Sequence, residues 1–208
     1  MILAEIDHYR GAFAYFGRFA INRPRKLAEK RRSFQFYRNG FPGCAPPTYP
    51  WARDPASAAS RLWQAARVAL VLIEPGTPRG FSLIRTVRAG LLAAGAHMLA
   101  PCPAGTACPV ADPDWCHFAA RVERSSLHRR VKGGELGYED EKFSYVALAR
   151  QAVEPPASRI VRRPRQQPGL IVLETCTPDG LQTVRVSKRD SERFRAARHA
   201  AWGDAGIS

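Results

Sequence analysis

The sequence predicts an α/β fold that ends in a small antiparallel β-meander and a C-terminal helix. Helical and buried-strand patterns alternate between residues 57 and 100, and short strand patterns separated by turns follow residue 150. A stiff loop that holds three of the five cysteines lies between these two parts. Alternating helices and strands favour an α/β sheet, whereas successive strands joined by tight turns favour an antiparallel meander. The 208 residues suffice for one ordinary hydrophobic core.

Residues 1–56 are predicted to be a basic N-terminal segment of unknown fold, an arm with one helix. The run FPGCAPPTYPWARDP at 41–55 is too rich in proline and glycine for a helix or a central strand. Cys44, among these prolines, is predicted to be a lone thiol. Neither a secretory signal nor a membrane-spanning apolar run is recognisable. We therefore predict a cytoplasmic, reduced protein without a membrane partner.

Residues 57–150 carry the clearest helix and strand patterns. An alanine-rich helix over 56–67 precedes VALVLIE at 68–74, a continuous apolar run that suits a strand buried on both faces. After the loop EPGTPRG, apolar residues recur every three to four positions in a helix that Gly95 ends. AHMLA at 96–100 is then a second strand. This order predicts a βαβ unit in a parallel sheet, with sites at the carboxyl ends of the strands.

Downstream of the cysteine loop we predict a helix over 116–135 and a strand over 142–150. The acidic residues Glu139–Glu141 are interpreted as a connection that pairs with neighbouring arginines. In residues 151–208 the runs RIVRR, GLIVLETC and LQTVRVSK predict three meander strands, with a tight turn at Pro178-Asp179-Gly180. The run SERFRAARHAAW predicts a closing helix.

The charge distribution predicts a polyanionic partner. The chain has 32 lysines and arginines against 18 aspartates and glutamates, a net charge of +14. Basic side chains on phosphates release condensed counterions, so nucleic acid is the natural partner. The alternative is an ordinary solvated surface in an arginine-rich protein. Our candidates for RNA contact lie on the predicted helix that follows Cys116: Arg121, Arg124, Arg129, Arg130 and Lys132.

The spacing of the cysteines predicts a metal site. Cys102, Cys108 and Cys116 have the spacing C-x5-C-x7-C, and Cys176 at the end of a meander strand is a fourth candidate. Four thiolates can hold a tetrahedral zinc ion or an iron–sulfur cluster. The short knuckles of zinc ribbons do not occur, which slightly favours iron–sulfur. Buried inert thiols are the alternative, and His117 is a possible substitute ligand.

Several ordered motifs resemble one known family. LVLIEPGTPRGF, APCPxxxxCP, DWCHFxxRVxRSxxHRxxK, ELGYEDEKFSYVALAR, ETCTPDG and AxWGD follow one another in this order. Together they resemble the methyltransferase-like family of small-ribosomal-subunit assembly factors, which has bacterial and mitochondrial members. The resemblance covers about residues 57–204.

The resemblance implies a fold, a cofactor and a partner. The fold is a class I S-adenosylmethionine methyltransferase (Rossmann-like) sheet, of which residues 57–150 would be the C-terminal half. The cofactor is a [4Fe-4S] cluster with Cys102, Cys108, Cys116 and Cys176 as ligands. The partner is the small ribosomal subunit and its rRNA. Bacterial members would be cytoplasmic, and eukaryotic relatives would lie in the mitochondrial matrix.

The sequence departs from this family at the methyl-donor site. A glycine-rich turn and an acidic residue after the first two strands are not found before residue 68. The chain thus resembles a member without its N-terminal half, and an incomplete sheet would expose an apolar strand edge. We therefore assign no enzymatic activity, no catalytic residue and no contact with S-adenosylmethionine. Glu74 lies where such folds line their active sites. The primary hypothesis is an iron–sulfur, rRNA-binding assembly factor; the alternatives are an active rRNA methyltransferase and a zinc-stabilised nucleic-acid-binding module.

Overall fold

The computed structural model describes residues 2–5, 54–103, 107–133 and 135–207. Within these ranges, no helix is long and apolar enough to cross a membrane. The elements are, in chain order, β1 (Ile2–Glu5), α1 (Pro55–Ala65), β2 (Ala69–Pro75), α2 (Pro78–Ala93), β3 (His97–Ala100), β4 (Phe118–Glu123), α3 (Ser126–Lys132), β5 (Tyr138–Ala149), β6 (Arg159–Ile160), β7 (Arg165–Gln167), β8 (Leu170–Thr177), β9 (Gly180–Ser187) and α4 (Ser191–His199).

The first helices and strands confirm the predicted patterns. Asp54 caps α1, because its side chain accepts a hydrogen bond from the backbone N–H of Ser57 at 3.0 Å. Thr77 caps α2 in the same way, with its hydroxyl accepting from the N–H of Gly80 at 3.1 Å. Beyond the end of α2, Gly95 has a φ of 85°. This left-handed conformation favours glycine and ends the helix where the sequence predicted it.

The first sheet is antiparallel around β5, which corrects the predicted parallel sheet. β2 pairs with residues 143–149 of β5 and β3 pairs with residues 147–149, both antiparallel. β2 and β3 therefore share one direction but are not neighbours, since β5 lies between them. The physical reason is that β5 carries its own run of fully buried residues, Val146–Ala149. Such a run is stable only between two strands and under cover on both faces.

Each face of this sheet packs against a separate apolar layer. Leu70 and Leu72 of β2 and Leu148 of β5 pack with the buried stripes of α1 and α2. Val71 and Ala147 face the opposite side, where they pack with Leu99 and its neighbours. Alternate residues of a strand point to opposite faces. The continuous apolar run at 68–74 thus marks a strand buried on both faces, as predicted.

The outer edge of β2 is occupied by β1, which the sequence did not predict. Ile2–Glu5 pairs antiparallel with β2, from Ile2 opposite Ile73 to Glu5 opposite Leu70. The sequence predicted an exposed apolar strand edge without saying which strand would carry it, and at β2 this edge is covered by β1. The other residues of the predicted N-terminal arm, including Cys44, lie outside the described residues. The boundaries predicted at residues 56 and 150 stay predictions.

The predicted helix over 116–135 is wrong in its first half. Phe118–Glu123 is strand β4, which pairs antiparallel with β5 from Phe118 opposite Phe143 to Glu123 opposite Tyr138. Only Ser126–Lys132 is helical. The sequence FAARVE can form either a helix or a strand. Pairing with residues 138–143 of β5 stabilises the strand. β5 also begins earlier than predicted, so Glu139–Glu141 lies within a strand rather than a connection.

The second sheet confirms the predicted meander and closing helix. β8 and β9 form a hairpin in which Thr177 pairs with Gly180, so Pro178 and Asp179 make the predicted turn. The short strands β6 and β7 pair with β8. α4 closes one face of this sheet over Ile171, Leu173 and Val186. The opposite face carries Cys176 and points toward the cysteine loop.

Replacing Gly80 with alanine should destabilise the protein by at least about 2 kcal/mol, because overpacking costs this order of free energy. An added Cβ would lie 2.1 Å from the carbonyl oxygen of Pro75. Gly90, on the exposed side of the same helix, has nothing within 4 Å of an added Cβ. Gly90→Ala should stabilise by up to about 1 kcal/mol through helix propensity. Urea unfolding followed by circular dichroism measures both changes, and equal effects would contradict the packing described for α2.

Candidate metal centre

Four cysteines line one cavity between the two sheets. Cys102 and Cys108 come from the loop after β3, Cys116 precedes β4, and Cys176 comes from β8. The cavity is otherwise lined by aliphatic, aromatic and basic side chains with Ser144: Phe81, Ile84, Arg85, Arg88, Pro101, Val110, Phe118, Tyr145 and Val161. The structure thus brings together the four cysteines that the sequence selected.

Strand pairing explains why these distant cysteines meet. β3 and β4 pair with successive parts of β5, on the side opposite β2, so the loop between them stays beside this sheet. Ser144 of β5 donates a hydrogen bond to the backbone carbonyl of Cys116 at 2.8 Å. In the second sheet, Cys176 pairs with Arg159 of β6. Arg159 in turn binds the loop directly, which draws the two sheets together at the cavity.

Arg159 connects three segments. It is only 8% exposed. Its Nε donates to the carbonyl of Pro101 at 2.9 Å, and its Nη1 donates to the carbonyl of Gly203 at 2.9 Å. Gly203 belongs to the AxWGD motif, where the N–H of Gly203 donates to the carbonyl of Ile160. Arg159 therefore fixes the residue before Cys102 against both the meander and the C-terminal segment.

Two further arginines hold the other side of the cysteine loop. Arg85 of α2 donates to the carbonyl of Val110 at 3.2 Å and lies 3.7 Å from the carboxylate of Asp112. Arg162, which follows β6, donates to the carboxylate of Asp114. The loop is therefore held from the first sheet's helix and from the second sheet. Sequence reasoning missed these arginines, because a general excess of basic residues hides individual contacts.

His117 belongs to an aromatic group rather than to the wall of the cavity. Its ring stacks on Trp115 with centroids 5.2 Å apart and meets the edge of Trp202 at 5.1 Å. Trp115 donates from its indole nitrogen to the carbonyl of Gly76 at 3.0 Å. Burial lowers the pKa of His117, and its Nδ1 lies 3.3 Å from the carbonyl of Trp115. The described arrangement thus favours a packing role for His117. Because the Trp115 indole binds the carbonyl of Gly76, the loop that follows Glu74 helps to hold this aromatic group in place.

The environment of the cavity favours neutral thiols while no cation is bound. Burial raises the pKa of Cys176 to about 11, and the Cys102 and Cys108 thiols add to this rise. Burial also raises the pKa of Cys102 and of Cys116, with the neighbouring thiols contributing. Arg88 acts in the opposite direction on Cys102, through its charge and a hydrogen bond. The buried thiols of Cys102, Cys116 and Cys176 become thiolates together only where positive charge compensates them.

The structure contains no preformed site for a single ion in the part of the chain that it describes. There, no group of three histidine, cysteine, aspartate or glutamate side chains is arranged so that it could hold a metal ion. The donor set and its location fit a thiolate-bound metal centre, while metal binding itself stays a prediction.

The predicted RNA-contact residues divide into two groups. Arg121 and Arg124 pair with carboxylates of β5, Arg121 with Asp140 at 2.9 Å and Arg124 with Glu139. These pairs confirm the prediction that the acidic run meets neighbouring arginines. Arg121 also holds the pKa of Asp140 below its usual range through their hydrogen bond.

The other candidates lie on α3, away from these carboxylates. Arg130 is exposed and Arg129 is half-buried, and Lys132 ends the helix. Exposed apolar side chains accompany them, with Leu127 63% and Val131 78% exposed. In the described part of the chain, residues 138–141 of β5 pair with β4 alone, so α3 and the adjoining ends of β4 and β5 extend beyond the rest of the sheet.

Fold and site together define a mixed α/β protein whose two antiparallel sheets meet at a four-cysteine cavity. Residues 53–206 match the family described as "Mitochondrial small ribosomal subunit Rsm22". The chain belongs to this family. The resemblance to small-ribosomal-subunit assembly factors that the motifs indicated is thereby confirmed.

Two relatives illustrate the extent of the similarity. The human "Ribosome assembly protein METTL17, mitochondrial" is 30% identical over 172 residues, which cover 74% of this chain and 36% of the human protein. The "Rsm22-cox11 tandem protein 2, mitochondrial" of Schizosaccharomyces pombe is 25% identical over 179 residues, which cover 65% of this chain and 24% of that protein. Both are named as mitochondrial. The chain therefore spans about a third and about a quarter of their lengths.

Arg159→Met should destabilise the protein by about 2–4 kcal/mol, because losing the donor to the buried carbonyl of Pro101 costs about 1–3 kcal/mol and losing the donor to the half-buried carbonyl of Gly203 costs less. Arg163 is a matched control: its side chain is 75% exposed and lies 3.8 Å from Asp140. Arg163→Met should change the free energy of unfolding by less than about 0.5 kcal/mol. Chemical unfolding of the three proteins measures both values. A loss at Arg159 no larger than that at Arg163 would contradict the role of Arg159 in joining the sheets.

Proposed function

We propose that this chain is an iron–sulfur-containing part of a small-ribosomal-subunit assembly factor and that it contacts rRNA. The single observation that supports this most is the convergence of Cys102, Cys108, Cys116 and Cys176 on one cavity. Family membership supplies the ribosomal context, and the human relative is named a ribosome assembly protein. The net charge of +14 is appropriate for a surface that meets RNA.

Iron–sulfur is favoured over zinc by the spacing of the cysteines along the chain. The C-x5-C-x7-C loop lacks the short knuckles of zinc ribbons. A [4Fe-4S] centre with four cysteine ligands spans a larger space. Zinc is kept as the alternative metal, since the same four thiolates could close around it.

The proposed centre has a structural role. Cys102, Cys108 and Cys116 belong to the loop beside the first sheet, whereas Cys176 belongs to the second. Ligation of all four would join the two sheets, and the free energy of metal binding would then add to the free energy of folding. Arg159 and Arg162 already hold the loop in place, which lowers the entropic cost of bringing the ligands together.

We infer that the first sheet corresponds to part of a class I methyltransferase sheet. β2, α2 and β3 form a strand–helix–strand unit whose strands share one direction, as such folds require. β5 lies antiparallel between them. Methyl transfer is not part of the proposal, because the glycine-rich turn expected to bind S-adenosylmethionine is not recognisable in this sequence. A cytoplasmic location for this chain stays a prediction.

The protruding α3 is the proposed RNA contact. Among the contacts of the described residues, Arg129 and Arg130 make no carboxylate pair of the kind that engages Arg121 and Arg124. Lys132 completes the set by its position at the end of the helix. Arginines that already pair with aspartate or glutamate gain less from a phosphate, since the existing pair must be broken first. The five residues selected from the sequence thus reduce to three favoured ones.

Cys176→Ser should abolish metal binding, because it removes the only proposed ligand from the second sheet. Anaerobically purified wild type should contain about four irons and four sulfides per chain, as a cysteine-ligated [4Fe-4S] centre requires. Cys44→Ser is the matched control and should keep the full metal content. Iron, sulfide and zinc analysis with an absorption spectrum measures the outcome. A wild-type protein with one zinc and no iron would support the zinc-binding alternative. A metal-free wild type would contradict both the iron–sulfur and the zinc hypotheses.

Arg130→Gln should weaken binding to purified small ribosomal subunits and reduce the slope of log affinity against log salt by roughly 0.7–0.9, the contribution of one phosphate contact. Arg121→Gln is the matched control and should leave this slope unchanged, because Arg121 is engaged by Asp140. Binding measured across a salt series, with the metal content of each protein verified first, tests both. A larger effect at Arg121 than at Arg130 would contradict the proposed surface.

A further inference from the structure

We infer that Arg88 is a positioning residue for the metal centre, donating a hydrogen bond to the Cys102 sulfur and offsetting the negative charge of the four thiolates. The inference rests on the proposed function, since it concerns how the chain retains and tunes the proposed centre. It assigns a role to a buried residue of α2 that neither the spacing of the cysteines nor the relatives' names single out.

Arg88 lies in the apolar stripe of α2, where a charged residue is out of place. Phe81, Ile84, Val87 and Leu91 are the other buried side chains of this helix face, and Arg88 is itself only 6% exposed. A helix that faces a hydrophobic core normally places arginine on its solvent side. The position of Arg88 therefore calls for a specific partner inside the protein.

That partner lies in the four-cysteine cavity. Arg88 lines the cavity with the cysteines, and its guanidinium forms a side-chain hydrogen bond with Cys102. Its charge also acts on Cys176 across the cavity. A guanidinium carries only donors, so it can support a sulfur ligand as the negatively charged acceptor but cannot itself bind a metal. Arg88 thus contacts Cys102 of the loop and acts through its charge on Cys176 of the second sheet.

A buried guanidinium beside sulfur ligands affects the metal centre that those ligands hold. Arg88 lines the cavity with the four cysteines, so its positive charge would offset part of the negative charge of a thiolate-bound centre. Hydrogen bonds to the sulfurs and nearby charge are two of the factors that set the reduction potential of an iron–sulfur cluster. Arg88 supplies both of them.

The other arginines around the site act differently. Arg159 donates to the carbonyls of Pro101 and Gly203, and Arg162 donates to Asp114. Arg159 and Arg162 also act by charge on Cys102 and Cys116, respectively. Their hydrogen bonds, however, hold the loop and the two sheets, so their loss would change folding first. Arg88 is the arginine with a hydrogen bond to a cysteine side chain in the described contacts. Its replacement should therefore change the metal centre more than the fold.

The test compares Arg88→Met, Arg88→Lys and the control Arg79→Met, an exposed arginine on the same helix. The readouts are metal transfer to a chelator and, for an iron–sulfur centre, the midpoint potential from a redox titration. Arg88→Met should lose about 10- to 100-fold in metal affinity, as losses of groups that support ligands do. Its potential should fall, because a missing positive charge disfavours the reduced cluster. Arg88→Lys should keep the potential near that of wild type, and Arg79→Met should behave as wild type.

The outcomes separate this inference from the proposed function. If wild type binds no metal, the proposed function fails and the inference fails with it. If wild type binds metal and Arg88→Met matches Arg79→Met in both readouts, only the inference is overturned. If Arg88→Met does not fold, Arg88→Lys decides: at least threefold faster metal loss than Arg79→Met supports the inference, and an equal rate overturns it.

Discussion

The meeting of the two sheets at the four-cysteine cavity is the contact on which the rest of the described structure depends. The first sheet contributes the loop with Cys102, Cys108 and Cys116, and the second contributes Cys176. Arg159 binds the loop and the C-terminal segment at once, so the meander cannot leave the cavity without exposing two carbonyls. Buried thiols, buried arginines and an aromatic group around His117 surround the same point. The strand pairing of each sheet serves to bring these groups together.

The local patterns were predictable wherever neighbouring residues determine them. The capped helix α2, the buried run of β2 and the Pro178-Asp179 turn all follow from periodicity and turn chemistry. The direction of strand pairing in the first sheet was not predictable from local patterns. β5, which comes from far along the chain, lies between β2 and β3 and makes the sheet antiparallel. The helix expected over 116–135 failed for a related reason. The pattern of FAARVE is compatible with either a helix or a strand. Its pairing with β5, a contact distant in sequence, makes it a strand.

The candidate site divides in the same way between predictable and unpredictable parts. Four cysteines with nearby prolines are rare enough to be selected from the sequence, and the structure brings those four to one cavity. The arginines that support them could not be selected among 32 basic residues. Arg121 and Arg124, selected as RNA contacts, pair with carboxylates, and RNA contact at these residues stays a prediction. Arg88, which lines the cavity, and Arg159, which binds the cysteine loop, were not selected. Arg88 and Arg159 differ from the selected arginines in being buried. Sequence patterns do not reveal the burial of a single charged residue.

The most direct test of the central claim is an anomalous diffraction measurement at the iron and zinc absorption edges on crystals of the anaerobically purified chain. We expect strong iron density enclosed by the sulfurs of Cys102, Cys108, Cys116 and Cys176, with cysteine–metal bonds from both sheets. A single zinc peak would retain the shared site and change the metal. Absence of anomalous density at both edges, with the four thiols unligated in a well-ordered cavity, would show that the two sheets are not joined by a metal centre.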